Sequence, residues 1–107
     1  MVKCLNNKYL PVNGIERVTL IGCGGTGSIL AEHLARMISG YQLDIEMILI
    51  DGDSVGPENI TRQNFTPADI GLNKAESLAF RLNAQFGLMI AATAGHIATR
   101  KFFCRSD

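Results

Sequence analysis

Arg17-Val18-Thr19-Leu20-Ile21-Gly22-Cys23-Gly24-Gly25-Thr26-Gly27-Ser28 decides the fold. A short apolar, β-branched run reads as a buried strand. It breaks into six residues of which four are glycine, and from Ser28 the period becomes helical, with Ile29, Leu30, His33, Leu34, Met37 and Ile38 recurring at three- and four-residue steps. Strand, glycine-rich turn, then helix is the context that gives a GxGxxG pattern meaning. Glycines let the backbone approach a phosphate or ribose closely, and a helix N-terminus offers free N–H groups and partial positive charge.

Downstream, Glu32 and Arg36 stand four apart in the favourable order for an ion pair, and Gly40 stops the helix. Ile45 to Asp51 is a second strand, apolar almost throughout, as a parallel strand covered on both faces should be. It ends on Asp51, where a carboxylate can accept from ribose hydroxyls. Gly52 to Gly71 is a long polar connection containing Pro57 and Pro67, and loops of that length inside a compact domain are usually functional. Asn73, with Glu76 three residues on, is an N-cap. Ala75, Leu78, Ala79 and Leu82 give the next helix a buried stripe, which Asn83 and Gly87 close. Leu88 to Ala92 reads as a third strand. The order predicts an α/β fold, a Rossmann-like βαβαβ half of a doubly wound, mainly parallel sheet. Residues 1–107 are expected to form a single, truncated domain with its core over 15–94. Three strands leave a bare sheet edge and a small buried area, so pairing with another subunit, as a homodimer, is expected.

The bulk composition excludes several classes. The chain has 107 residues, ten basic and ten acidic, with 47% hydrophobic. Zero net charge provides no general attraction to nucleic acid or anionic membrane. No apolar stretch reaches membrane-span length and no signal peptide opens the chain, so a cytoplasmic protein is expected. Cys4, Cys23 and Cys104 are scattered, which suits neither a disulfide framework nor a zinc site.

The glycine loop and Asp51 point to a nucleotide with a ribose, and leave an NAD-type Rossmann domain open. The long loop separates the readings. Its text, Asp51-Gly52-Asp53-Ser54-Val55-Gly56-Pro57-Glu58-Asn59-Ile60-Thr61-Arg62-Gln63-Asn64-Phe65, then Asp69-Ile70-Gly71-Leu72-Asn73-Lys74-Ala75, together with GCGGTGS, resembles the ThiF/HesA/MoeB family, relatives of the ubiquitin-activating enzymes, from Val18 to about Ile90. The wording is most similar to ThiF-like proteins of PRTRC-type mobile-element systems. The resemblance implies ATP and Mg²⁺ as cofactors, and adenylation of the C-terminal carboxylate of a ubiquitin-like or sulfur-carrier protein ending in Gly-Gly. It implies that Gly22, Gly24, Gly25 and Gly27 line the nucleotide, that Asp51 binds ribose with Asp53 nearby, and that Asn59, Arg62 and Lys74 contact phosphates, with Gln63 supporting the loop. Arg62 and Lys74 are the implied catalytic pair. Their charges suit a reaction that joins two anions at phosphorus. The magnesium-binding Asp, acyl-accepting Cys and zinc cysteines of family members have no match within the 107 residues. A non-catalytic nucleotide-binding or partner subunit is the other reading the pattern allows.

Structural roles compete for several of these residues. Asp53 and Asn59 suit turns and caps, Asp69 suits a turn cap, and Arg62 and Lys74 alone would pass as surface charges. His33 and His96 have no evident partner. Cys23 sits near a helix N-terminus, which could lower its pKa, yet it fits better as a small loop filler.

Overall fold

The computed structural model describes residues 16–95. Strand β1 (Arg17–Ile21) runs into helix α1 (Gly25–Gly40), then β2 (Glu46–Ile50), α2 (Lys74–Phe86) and β3 (Ala91–Thr93). The three strands form one parallel sheet in the order β1-β2-β3. Right-handed crossovers along that order place both helices on the same face. The helices meet there: the Ser39 hydroxyl donates to the Phe86 carbonyl at 3.1 Å, and the Arg36 guanidinium stands 5.0 Å above the Phe86 ring. Among the described residues no helix covers the opposite face, where Arg17, Thr19 and Ile21 are exposed. No described helix is long and apolar enough to cross a membrane.

Met47 and Leu49 of β2, Ala31, Ala35 and Ile38 of α1, and Ala75, Leu78, Ala79 and Leu82 of α2 form the core, with Val55 and Phe65 from the long connection. All four residues expected to line α2 are buried. Truncating one of its leucines to alanine would cost about 2–5 kcal/mol. Asn73 caps α2 as its sequence position predicts, its side-chain oxygen accepting from the Glu76 N–H at 3.0 Å. Gly87 closes the helix in the left-handed conformation at φ 68°.

Three expectations need correction. Helix α1 starts at Gly25, and of the expected stripe it buries Ile38 while Leu34 packs against the core; its other buried residues are Ser28, Ala31 and Ala35. Ile29, Leu30 and Met37 are nearly half exposed, and His33 is exposed. The cause is close approach. A Cβ on Gly27 would lie 2.0 Å from the Gly22 carbonyl oxygen, so the start of α1 sits too near the sheet for large side chains there. Strand β3 starts at Ala91, later than Leu88. The Asn83 side chain accepts from the Ile90 N–H at 2.6 Å and donates to its carbonyl at 3.2 Å, occupying the groups that would extend the ladder. The long connection also has regular structure. Two 3₁₀ turns, Pro57–Asn59 and Pro67–Asp69, each begin with a proline, whose fixed φ suits a first helical position.

Candidate nucleotide site

The site lies where β1 and β2 end. The Gly22 N–H donates to the Ile50 carbonyl at 2.8 Å, continuing the sheet one residue beyond β1. Gly22 then turns at φ +96°, a conformation side chains disfavour. Gly22 is therefore needed for conformation and Gly27 for contact. Gly25 faces open space, and the side-chain amide of Gln63 lies against Gly24, 3.7 Å from where a Cβ would stand. Gly24 caps α1 without any side-chain hydrogen bond, and the first turn carries no acid. The N–H groups at that helix start carry no side-chain cap.

Asp51 bridges two backbone segments. One carboxylate oxygen accepts from the Cys23 N–H at 2.6 Å and the other from the Asp53 N–H at 2.8 Å. The carboxylate thereby ties the glycine loop to the turn leaving β2, and each oxygen keeps acceptor capacity for a ligand hydroxyl. Asp53 itself is exposed and contributes its backbone: its carbonyl accepts from the Lys74 N–H at 2.9 Å and from the Asn73 side chain at 3.2 Å. Asn73 also donates to the Asp51 carbonyl at 2.8 Å, so one side chain caps α2 and anchors the end of β2.

Cys23 is fully buried. Burial, reinforced by the Asp51 carboxylate and opposed by the Lys74 ammonium, pushes its thiol up to about 12. A lowered pKa from the helix N-terminus is thus overturned, and the loop-filler reading holds. Lys74 is only 8% exposed, and its ammonium makes no hydrogen bond or ion pair among the described residues. A cation without a partner is available to an anion.

Asn59 is the cap its residue type allows. Its side-chain oxygen accepts from the Gly56 N–H at 2.8 Å, while its carbonyl takes the N–H of Arg62 at 3.2 Å and of Gln63 at 2.8 Å. This turn brings Gln63 onto the glycine loop, where its buried side-chain oxygen has no hydrogen-bond partner among the described residues. Arg62 is exposed, with no partner among the described residues. Asp69 caps the second 3₁₀ turn through Thr66 and accepts from the Ser77 hydroxyl at 2.6 Å. Burial raises its carboxyl, but the Ser77 and Thr66 donors outweigh that and hold it below its ordinary value.

Sequence reading missed Asn64 and Arg81. The Asn64 N–H donates to the Ser28 hydroxyl at 3.0 Å, its side-chain nitrogen donates to the Ser28 carbonyl at 3.3 Å and to Glu32 at 2.8 Å, and its carbonyl accepts from Arg81. Glu32, held by Asn64 and then Arg36, is shifted below its usual range. No local pattern marks these residues, because their partners lie on distant segments. Among the described residues no cluster of three His, Cys, Asp or Glu could hold a metal. Cys4, His96 and Cys104 fall outside the described residues.

A model of the ThiF family matches residues 14–99. Ubiquitin-like modifier-activating enzyme 5 of Drosophila ananassae is 41% identical over 68 residues, which is 64% of this chain and 16% of that protein; the Aedes aegypti protein matches equally. Escherichia coli MccB, crystallised with ATP, superposes with a TM-score of 0.65 at 32% identity, over 77% of this chain and 24% of its own. Escherichia coli tRNA N6-threonylcarbamoyladenosine dehydratase, TcdA, crystallised with AMP, gives 0.70 at 28% identity, over 90% and 38%. The chain spans only 16% of the length of the first curated relatives it matches.

Proposed function

The chain belongs to the ThiF family, and from that membership we propose that it supplies the ATP-binding part of an enzyme that adenylates the C-terminal carboxylate of a ubiquitin-like or sulfur-carrier protein. The observation that carries this reading is the open first turn of α1 behind the glycine turn, where no side chain bonds the cap and Gly25 faces open space. A nucleotide phosphate suits such a helix N-terminus. The ATP and AMP in the related crystal structures agree with that choice of ligand.

In the proposed reaction a carboxylate oxygen of the partner attacks the α-phosphorus of ATP, the bond to pyrophosphate breaks, and an acyl-adenylate results. Both reactants are anions, so the protein's contribution is orientation and charge compensation. Asp51 would accept from the ribose with the acceptor capacity its backbone bonds leave. Gly25, facing open space, would admit phosphate to the first turn of α1. Arg62 and Lys74 would hold the phosphoryl oxygens as negative charge grows on them, the first as a planar fork and the second as a point charge. Magnesium commonly binds through one or two carboxylates and the substrate's own phosphates, and no carboxylate among the 107 residues matches the one that the resemblance implies. The ion would add charge neutralisation. The partner would end in Gly-Gly, the enzyme would work as a homodimer, and its setting would be the cytoplasm.

Calorimetric titration tests the ligand: ATP should bind more tightly than NAD⁺, and tighter NAD⁺ binding would overturn the reading. ATP–pyrophosphate exchange tests the reaction. In the protein assayed with a Gly-Gly-ended partner, Arg62→Ala should slow exchange by ~10²–10³, the usual cost of one preorganised donor. Lys74→Ala should behave similarly, and His33→Ala should match the unaltered protein.

A further inference from the structure

Arg62 and Gln63 sit between the two 3₁₀ turns, on a stretch of the long connection with no regular element of its own, yet a phosphate-holding group must be fixed to within a fraction of an ångström. The Asn59 carbonyl holds the start of this segment, and the residue that follows ties it to the helices. Asn64 spends its backbone N–H, carbonyl and side-chain amide on contacts outside its own segment. It bonds Ser28 and Glu32 on the first two turns of α1, and Arg81 on α2. Ser28 is fully buried, and its hydroxyl both accepts from Asn64 and donates to the Gly25 carbonyl at 3.3 Å. The contact with Asn64 therefore reaches the glycine loop through one side chain. On the other side of the same segment, the Gln63 amide rests on Gly24.

We propose that Asn64 is a positioning residue for the nucleotide site: by pinning residues 62–64 to Ser28 and Glu32, it sets where Arg62 stands relative to the glycine loop. The inference rests on the reading of Arg62 as a phosphate contact. Asn64 touches no ligand in this account and acts through Arg62. Two features make the pin specific to an amide. Its side-chain nitrogen donates to two acceptors at once, the Ser28 carbonyl and the Glu32 carboxylate, which neither a carboxylate nor a hydroxyl can reproduce. Glu32 is itself steadied by Arg36 at 3.0 Å, so the donor meets a fixed acceptor.

A double-mutant cycle on ATP affinity, measured well below the melting temperature, separates positioning from general loosening. Asn64→Ala and Arg62→Ala should each weaken ATP binding roughly tenfold, the scale of one charge-assisted hydrogen bond. The double variant should be no weaker than Arg62→Ala alone, to within about twofold. Independent, multiplying losses would overturn the inference, as would an Asn64→Ala protein that binds ATP normally. If Asn64→Ala does not fold, a second pair decides. Asn64→Asp places a carboxylate against Glu32 and should bind ATP weakly. Adding Glu32→Gln restores a donor–acceptor pair and should recover at least half of the lost affinity on a logarithmic scale. Recovery of the melting temperature without recovery of affinity would overturn it. Arg62→Ala with unchanged ATP affinity would refute the phosphate reading itself, an outcome distinct from failure of the pin.

Discussion

Replacing Gly27 with alanine tests the closest contact in the molecule. The new Cβ would stand 2.0 Å from the Gly22 carbonyl oxygen and 3.0 Å from its carbon. Both are backbone atoms, so no rotamer change relieves the clash. The start of α1 would have to retreat by about an ångström, since Cβ contacts shorter than 3.0 Å are essentially never seen. Retreat strains the Cys23–Asp51 bond and the glycine turn and opens a gap at Ala31 and Ala35. Overpacking a rigid site costs about 3 kcal/mol, and alanine returns about 1 kcal/mol through helix propensity, for a net loss near 2 kcal/mol. In a domain of this size that lowers the melting temperature by on the order of 10 °C. Gly25→Ala is the control. Its Cβ meets nothing within 4 Å, so thermal stability should be unchanged or slightly higher. Yet that methyl group projects into the proposed phosphate position and should weaken ATP binding. Calorimetric melts and ATP titrations of both variants check the pair. A Gly27→Ala protein as stable as the unaltered one would refute the close-approach argument, and with it the reason given for the small residues on the buried face of α1.

Three further outcomes follow from the site. Asp51→Ala should weaken ATP binding by roughly 1–3 kcal/mol, and unchanged affinity would remove Asp51 from the ribose. Cys23, buried and with its thiol near 12, should resist iodoacetamide in the folded protein at pH 8, because the thiolate is the reacting form; mass spectrometry of the peptide carrying it should show modification only after denaturation. Asp69 has a folded pKa below its ordinary 3.8, so its contribution to stability is fully present above that value and is lost as pH falls through the folded pKa. Asp69→Asn should therefore be destabilising at pH 7, with the difference from the unaltered protein shrinking in melts below pH 3.8.

The parts of the fold that declared themselves in sequence are those set by local chemistry. Arg17 to Ile21 ends in glycine and is a strand; Asn73 and Gly87 cap the helix they bracket. The buried face of α1 was misjudged because hydrophobicity ranks Ile29 and Leu30 above Ala31 and Ala35, while the contact at Gly27 admits only the smaller pair. Strand β3 was placed early because nothing in Leu88-Met89-Ile90 reveals that Asn83 claims the backbone of Ile90. In the site, the glycines, Asp51 and Lys74 come together at one end of the sheet. The roles of Asn64 and Arg81 were not legible, since a hydrogen bond across 36 residues leaves no periodic trace.

The double duty of Asp51 bears on how members of such a lineage should be sorted once some of them stop handling nucleotides. Mutational drift erodes a residue fastest where nothing but the lost task retained it. Asp51 would persist in a descendant that no longer binds ligand, because the Cys23 and Asp53 N–H groups still need its oxygens. The Lys74 ammonium has no such second employment among the described residues, so drift should replace it early. In an inventory of divergent copies, an intact position 51 is therefore poor testimony to activity, whereas the fate of position 74 separates working genes from relics.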